Sequence, residues 1–183
     1  MNTSTLPKFG LGTYRGQCSD EADALLEATI RAALSSGMRH FDTAINYRCQ
    51  RSERVLGVAL RSAFALGLVR RGECHISSKA GFVPWDFLPP SDEAAHDKHT
   101  VLNAGLASPD QLSPDGHCLA PAYLTWSVNR SLRNLGLEYL DCMYIHNPEA
   151  QLAICSHETL YERLQAAFGA LESFVEKGSL RAY

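Results

Sequence analysis

The chain has 183 residues, of which 45% are apolar, and this length and composition predict a single domain with one buried core. Its formal net charge of −3 gives no electrostatic reason to expect nucleic acid or an anionic membrane as a partner. The sequence has no run of about 18 apolar residues, and residues 1–6 lack the pattern of a secretory signal. We therefore expect a cytoplasmic protein in which the six scattered cysteines are reduced thiols.

The first part of the chain alternates between short apolar runs and stretches with the periodicity of a helix. Residues 9–14, 39–43 and 74–80 each predict a short strand. Apolar spacing predicts one helix between residues 20 and 37 and a second helix over residues 52–67. Each helix ends at a glycine, a residue that readily adopts the left-handed conformation found at helix ends.

The second part begins with a long stretch, residues 81–121, that is rich in Pro, Gly, Asp and His and has no sustained periodicity. A loop of this length inside a compact domain is usually functional or disordered. The sequence then predicts a helix over 121–135, a strand over 139–146 and a helix over 158–177. Residues 180–183 begin a fifth strand, so the chain predicts about four strand–helix units and the start of another.

Capping residues and apolar spacing define the helices more closely. Ser19 or Asp20 is suited to cap the first helix and Ser52 the second, because short polar side chains accept hydrogen bonds from free N–H groups. On the first and last helices, the residues expected to pack inward are Ala22, Leu25, Leu26, Thr29, Ile30, Ala33 and Leu34, and Leu160, Leu164, Ala167, Phe168, Leu171 and Val175.

The regular alternation of strands and helices predicts parallel strands joined by helical crossovers. Two architectures fit this pattern: an open doubly wound sheet and a closed eight-stranded barrel. The open sheet would need a glycine-rich phosphate turn after the first strand. Residues 10–16 match that turn only in part, because Arg15 stands in place of its third glycine. The dinucleotide-binding sheet is therefore the weaker interpretation.

Polar side chains stand at the ends of three predicted strands. Asp42 ends the second strand, Lys79 the third and His146 the fourth, while Tyr47 lies in the loop just beyond Asp42. In a parallel barrel the carboxyl ends of the strands form one mouth, and active sites lie there. We therefore expect these four residues, which are distant in sequence, to meet in one pocket.

The four residue types together suit proton donation to a carbonyl oxygen. An unperturbed tyrosine has a pKa of about 10 and is a poor acid near neutrality, but a neighbouring ammonium stabilises the phenolate. A carboxylate beside the lysine keeps the lysine charged and oriented. A histidine can hydrogen-bond a substrate oxygen or share in the proton relay. Asp42, Tyr47, Lys79 and His146 therefore form the candidate catalytic set.

Several motifs occur in a fixed order along nearly the whole chain. They are GLGTY at 10–14, FDTAINY at 41–47 followed by Ser52, Glu53 and Gly57, SSK at 77–79, and LDCMYIHNP at 140–148. Each motif alone would be weak, but together they resemble the aldo-keto reductase family. The resemblance implies the N-terminal part of a (β/α)₈ barrel and the reduction of aldehydes or ketones, or the reverse oxidation of an alcohol or aldose.

The resemblance also assigns roles by position. Tyr47 would be the proton donor, with Lys79 and Asp42 tuning it. His146 would orient the substrate carbonyl, and Asn147 would lie beside it in the substrate site.

The hydride donor implied by the resemblance is NADPH, with NADH possible. Gly12, Thr13 and Asp42 would lie near its nicotinamide ribose. The family's later elements are absent from this chain, among them a Ser-Asn pair, a stacking aromatic residue and the loops that hold the phosphates. The proton-transfer residues are therefore present, and most of the cofactor site is not.

A (β/α)₈ barrel typically needs about 250 residues, and this chain ends at the predicted start of strand five. An open half-barrel is expected to expose two sheet edges and apolar inner faces, which favours aggregation or self-association. We therefore expect a truncated product, a partial gene or one half of an assembly.

The long segment 81–121 invites two further interpretations. It holds His96, His99, His117 and Cys118, but no second close pair of strong ligands completes a zinc spacing, so we expect no metal site. Because the segment follows the third strand, it is more simply interpreted as a lid on the substrate side of the barrel mouth.

Two competing functions stay open at this stage. One is a non-enzymatic fragment or interaction module formed by the half-barrel. The other is an unrelated barrel lyase that forms a Schiff base through Lys79, although a neighbouring Asp42 should keep that lysine charged.

Overall fold

The structure is a computed structural model that describes residues 9–183, and its strands form one parallel sheet. In sheet order the strands are β1 (Leu11–Gly12), β2 (His40–Asp42), β3 (His75–Ala80) and β4 (Cys142–Ile145). Neighbours in the sheet are also neighbours in sequence, so each pair is joined by a crossover, as in a (β/α)₈ barrel. The predicted alternation of parallel strands and helices is confirmed.

The α-helices of the described part are α1 (Asp20–Ser35), α2 (Arg51–Ala65), α3 (Glu93–Lys98), α4 (Pro121–Leu135) and α5 (His157–Glu176). Short 3₁₀ turns occur at Arg71–Glu73, Pro109–Gln111 and Pro148–Ala153, and a π turn occurs at His99–Asn103. Ser19 caps α1 as predicted, since its hydroxyl accepts a hydrogen bond of 3.3 Å from the Ala22 N–H. Over residues 9–183, every helix is too short or too polar to cross a membrane.

The main helices lie side by side along one face of the sheet. α1 contacts α2, α2 contacts α4, and α4 contacts α5. Phe41, Ile76 and Met143 are fully buried on this face of the sheet. The Ser78 hydroxyl also points to the helices, because it donates a hydrogen bond of 2.7 Å to Glu53 of α2. The apolar core therefore lies between the sheet and a single layer of helices.

Gly57 allows α2 and α4 to approach closely. A Cβ atom at this position would lie 2.4 Å from the carbonyl oxygen of Leu135, closer than real contacts permit. Arg61, one turn later on α2, donates a hydrogen bond to the same Leu135 carbonyl. The end of α4 is thus fixed against α2 by backbone contact as well as by side-chain packing.

The opposite face of the sheet is mainly polar. Asp42, Ser77 and Cys142 lie in register across three strands, and side chains two residues away share their face. The side chains of this inner face are His40, Asp42, His75, Ser77, Lys79, Cys142 and Tyr144. The expectation of an apolar inner face is therefore wrong, because the strands direct apolar residues to the helices and polar residues to the inner side.

Residues 179–182 pair beside β4, at the position predicted for a fifth strand. The Leu140 N–H donates a hydrogen bond of 3.0 Å to the Ser179 carbonyl, and the Met143 N–H donates one of 3.1 Å to the Ala182 carbonyl. One edge of β4 is therefore covered by the start of the predicted fifth strand.

The segment 81–121 is less irregular than predicted, because it contains α3 and the π turn that follows. Asp92 caps α3 by accepting a hydrogen bond of 2.9 Å from the Ala95 N–H. Val101 in the π turn is fully buried. A helix of six residues is too short to show an apolar period, so periodicity could not reveal it.

Four more local expectations were wrong, among them that Thr29 packs inward, because this residue is exposed. Ser52 does not cap α2, which begins one residue earlier; its hydroxyl instead donates a hydrogen bond of 2.7 Å to the Thr13 carbonyl. Leu25 is 70% exposed, because no described element covers that side of α1. Phe168 is also exposed and stacks on Tyr183, with ring centroids 5.4 Å apart.

Candidate active site

The four candidate catalytic residues meet at the carboxyl end of the sheet. Asp42 is the last residue of β2, Lys79 lies near the end of β3, and His146 follows β4 directly. The sheet continues past the strand ends, because the His146 N–H donates a hydrogen bond of 2.8 Å to the Ala80 carbonyl. Tyr47 lies in the turn between β2 and α2. Backbone pairing therefore brings these distant residues to one edge, as their strand-end positions predict.

Lys79 is held by hydrogen bonds to β2. Its ammonium donates to the Asp42 carboxylate at 2.5 Å and to the Thr43 carbonyl at 2.8 Å. The other Asp42 oxygen accepts a hydrogen bond of 3.1 Å from the Ser77 hydroxyl. The Lys79 side chain is only 17% exposed, so its charge is fixed in a largely buried position.

The Tyr47 ring packs among three of its neighbours. The Lys79 ammonium lies 4.6 Å from the centroid of the Tyr47 ring. The rings of Tyr14 and His146 meet it edge to face, with centroids 5.0 Å and 5.6 Å away. The tyrosine is thus oriented by contacts on several sides, and Tyr14 is a member of this cluster that the sequence did not single out.

His146 is uncharged near neutral pH. Burial lowers its pKa to about 4, and the positive charge of Lys79 acts in the same direction. Its Nδ1 atom is buried and has no hydrogen-bond partner within the described residues. The Phe82 ring lies 5.3 Å from the imidazole, edge to face. A neutral imidazole with a free nitrogen can bind a substrate oxygen without repelling Lys79.

A buried chain of hydrogen bonds supports the backbone of His146. His117 Nε2 lies 2.8 Å from the His146 carbonyl, which makes that nitrogen the protonated one. Gln151 donates from Nε2 to His117 Nδ1 at 3.1 Å and to the His117 carbonyl at 2.8 Å. Arg163 of α5 donates to the Gln151 side-chain oxygen at 2.6 Å. Burial lowers the pKa of His117, so the neutral ring that this pattern requires is favoured.

No sequence pattern indicates this chain of contacts. In the sequence His117 suggests only a metal ligand, and neither Gln151 nor Arg163 belongs to a motif. These residues come from three separate segments, and no motif or period links them.

The turn after Tyr47 has an unusual backbone. Arg48, Cys49 and Gln50 have positive φ angles of 50°, 55° and 64°, a conformation that residues other than glycine rarely adopt. Arg48 stabilises the turn by donating two hydrogen bonds of 3.0 Å and 2.9 Å to the Gln17 carbonyl. The sulfur atoms of Cys49 and Cys18 lie 2.8 Å apart, and both cysteines are free thiols.

The residues assigned to cofactor and substrate by resemblance border the same mouth. Thr13 is buried, and its N–H and hydroxyl both donate to the Asp42 carbonyl, at 3.0 Å and 3.2 Å. Gly12 is exposed, and a Cβ atom there would have no neighbour within 4 Å. Asn147 is exposed directly after His146, with a left-handed φ of 48°. Thr13 therefore fastens β1 to β2, while Gly12 and Asn147 leave accessible surface beside the catalytic set.

The histidines of segment 81–121 lie apart and do not form a common cluster. His96 contacts the Pro84 carbonyl at 3.2 Å, and His117 contacts His146 as described. Across residues 9–183, no group of three or more His, Cys, Asp and Glu side chains is arranged to hold a metal ion.

Comparison with known proteins identifies the family. Residues 8–183 match the model of the Aldo/keto reductase family. Over 183 residues the chain is 30% identical to a D-threo-aldose 1-dehydrogenase from Pseudomonas sp, a match that covers 97% of this chain and 49% of that relative. Over 150 residues it is 33% identical to NADPH-dependent codeinone reductase 1-4 from Papaver somniferum, with 78% of this chain and 33% of the relative covered.

A solved structure has the same fold. The Bombyx mori aldo-keto reductase in complex with NADP superposes with a TM-score of 0.59 at 21% identity, covering 96% of this chain and 45% of the other. The sheet and its helices are thus part of a (β/α)₈ barrel. The chain belongs to the aldo/keto reductase family. It spans half or less of the length of the curated relatives it matches.

Proposed function

We propose that the chain carries the proton-transfer residues of an NADPH-dependent oxidoreductase that reduces aldehydes or ketones, or oxidises the corresponding alcohols. The observation that carries this proposal is the contact of 2.5 Å between Lys79 and Asp42, with the same ammonium 4.6 Å from the Tyr47 ring centroid. A buried lysine that is paired with a carboxylate and packed against a tyrosine suits stabilisation of a phenolate.

Tyr47 is the proposed proton donor. When bound, NADPH supplies the hydride that reduces the carbonyl carbon. The Tyr47 hydroxyl transfers its proton to the carbonyl oxygen, and the positive charge of Lys79 stabilises the phenolate that remains. Asp42 holds the Lys79 ammonium beside the ring through their hydrogen bond. In the oxidative direction the same phenolate accepts the proton of the alcohol.

His146 is proposed to orient the carbonyl. Its imidazole is neutral because burial lowers its pKa to about 4, so it can donate a hydrogen bond without adding a second positive charge beside Lys79. Asn147 stands exposed beside it and is proposed to contact the substrate. Segment 81–121 is proposed to cover this side of the mouth, and deleting residues 89–113 from a longer parent protein should change its substrate preference.

Gly12, Thr13 and Asp42 are proposed to lie beside the nicotinamide. They fit that role, because the space around Gly12 is open and Thr13 fixes its strand against Asp42. NADPH rather than NADH is proposed because the codeinone reductase relative is NADPH-dependent and the Bombyx mori enzyme was solved in complex with NADP. A cytoplasmic location is proposed because the six free cysteines suit a reducing compartment.

The decisive experiment combines NADPH binding with turnover. Binding by the purified chain would be followed through quenching of Trp85 and Trp126 fluorescence, and turnover through NADPH oxidation with a panel of aldehydes. Tyr47→Phe should lower turnover at least about 100-fold and leave NADPH binding unchanged, because only the proton donor is lost. Tyr161→Phe on α5 is the matched control, since that tyrosine is 68% exposed.

Other outcomes separate the alternatives. A folded chain that binds no NADPH would contradict activity of this chain and favour the interaction module. Saturable binding together with a dimer in sedimentation would support the proposal that two copies associate through the incomplete barrel. For the lyase, borohydride with a carbonyl substrate should give no adduct at Lys79, because its pairing with Asp42 opposes the neutral amine that a Schiff base requires.

A further inference from the structure

A cavity lies beside the candidate catalytic set, under helix α3. Its volume is about 330 Å³, within the range of small-molecule sites. Phe82 and Trp85, which follow β3, form an aromatic wall, and Asp97 of α3 closes another side. Asn46, the residue before Tyr47, also lines it.

The cavity shares walls with the reaction site. The Phe82 ring meets the His146 ring edge to face, with centroids 5.3 Å apart. Asn46 belongs to the turn that carries Tyr47, and its side-chain oxygen is buried without a hydrogen-bond partner among the described residues. The cavity and the catalytic set are therefore neighbours, joined by the Phe82 side chain and by the turn that carries Tyr47.

Asp97, like Asn46, has a buried side-chain oxygen without a partner, and it is the buried acidic residue of this cavity. It is only 8% exposed, and its Oδ1 atom is buried without a hydrogen-bond partner in the part of the chain that the structure describes. Burying a carboxylate oxygen without a donor is costly, so such groups usually mark a missing partner. Gly116, with φ of 74°, packs so closely on the other Asp97 oxygen that no Cβ would fit there. The carboxylate is therefore held in place, and its buried Oδ1 atom lacks a donor.

The charge around the cavity is entirely acidic. Glu93 and Asp115 stand at its rim, and none of its described lining residues is Lys, Arg or His. Burial raises the pKa of Asp97 to about 6; Glu93 and Asp115 add to the increase, whereas nearby His96 and a hydrogen bond from Trp85 oppose it. A bound cation would supply the missing donor and relieve this repulsion. The indole and phenyl faces also attract organic cations.

We propose that this cavity binds the protonated amine of the carbonyl substrate, so that the preferred substrates are amino aldehydes or amino ketones. The proposal rests on the function proposed for Tyr47 and His146, since it names the class of substrate for that site. Asp97 forms the ion pair, Trp85 and Phe82 cover the apolar side of the ammonium, and the amine itself is unchanged by the reaction.

Binding of a non-reducible probe tests this proposal without turnover. Benzylamine carries the cation, and benzyl alcohol is its neutral counterpart of nearly the same shape. Both would be titrated into the purified chain at pH 7.5, followed by the NMR signal of the Trp85 indole N–H. We expect benzylamine to bind about tenfold more tightly than benzyl alcohol and to shift the Trp85 signal.

Substitutions test whether Asp97 is the residue that binds the amine. Asp97→Asn should bring the affinity ratio of the two probes close to one, whereas the exposed Glu138→Gln, which makes the same carboxylate-to-amide change, should leave the ratio unaltered. Equal binding of both probes by the wild-type chain would overturn the proposal, even if Asp97→Asn failed to fold. An amine preference that persists in folded Asp97→Asn, or that leaves Trp85 unshifted, would also overturn it. Because no hydride is transferred, these results are independent of the Tyr47→Phe turnover test.

Discussion

Glu53 is a carboxyl group buried completely between α2, β3 and α4. It accepts hydrogen bonds of 2.7 Å from the Ser78 hydroxyl and 2.8 Å from the Asn134 side chain. Burial raises its pKa, and these hydrogen bonds only partly oppose the increase. A single acidic residue therefore joins three elements, and the free energy required to bury its charged form makes its effect on stability depend on pH.

Replacing Glu53 with Gln should increase stability at high pH. A raised pKa means that the folded state binds the proton more tightly than the unfolded state. Protonated Glu53 therefore stabilises the fold at low pH, and this stabilisation is lost as pH rises from about 4.5 through the folded pKa. The glutamine side chain would keep the shape without the charge. Urea unfolding at pH 5 and pH 8 should show a smaller decrease for Glu53→Gln than for the wild type. A variant that is less stable than the wild type at pH 8 would contradict this, and Glu162→Gln on α5 serves as the exposed control.

The positions of the main polar residues of the site could be predicted because strand ends are visible in the sequence. Asp42, Lys79 and His146 each lie at the end of a predicted strand, and parallel pairing brings such positions together. The contacts that support them could not be predicted in this way. Gln151 and Arg163 act through side-chain hydrogen bonds between separate turns, and such bonds follow no sequence period.

At the scale of elements, the contact between α2 and α4 makes a sharp prediction. Gly57→Ala would place a methyl group 2.4 Å from the Leu135 carbonyl oxygen, so the helices must separate. We expect a loss of about 1–3 kcal/mol in the free energy of unfolding, measured in urea. Gly169→Ala in α5 is the matched control, because nothing lies within 4 Å of its Cβ and the change should stabilise the helix by about 1 kcal/mol. Equal effects of the two substitutions would contradict the close approach.

The long helices were predictable because their apolar periods extend over many residues, and the strands because each falls in a short segment between two such helices or turns. The start of α2 and the existence of α3 were not. A left-handed Gln50 with no side-chain cap precedes α2, and the serine that resembled a cap is used in a contact with Thr13. Capping patterns therefore indicate a helix near residue 52 but do not fix its first turn.

At the scale of the whole molecule, the architecture is a sheet with helices on one face and polar side chains on the other. The alternation of strands and helices allowed either an open doubly wound sheet or a barrel, and the incomplete phosphate turn and the family resemblance favoured the barrel. The polar inner face was also present in the sequence, where His40 and Asp42 alternate with Phe41, yet it becomes clear only when the register of the strands is known. The half-barrel is therefore less prone to aggregate than it would be with an apolar inner surface.

Amide hydrogen exchange should reveal how stability is distributed across this sheet. β3 is paired on both sides and lies under α4, whereas β1 has two residues and, within the described chain, one neighbour. The amides of Ile76 and Ser78 should therefore be among the slowest to exchange, and those of Leu11 and Gly12 among the fastest. Mass spectrometry of peptic fragments would measure this order, and equal protection of β1 and β3 would show that it is wrong.

The hydrogen bonds from Arg163 through Gln151 to His117 affect the order in which the candidate site can assemble during translation. Three of the candidate catalytic residues lie in the first 79 positions, but the support beneath His146 comes from α5, which the ribosome synthesises later. During translation, the tyrosine, lysine and aspartate can meet as soon as β3 pairs with β2. The complete set of hydrogen bonds beneath His146 can form only after α5, which carries Arg163, has left the exit tunnel and packed against the preceding chain.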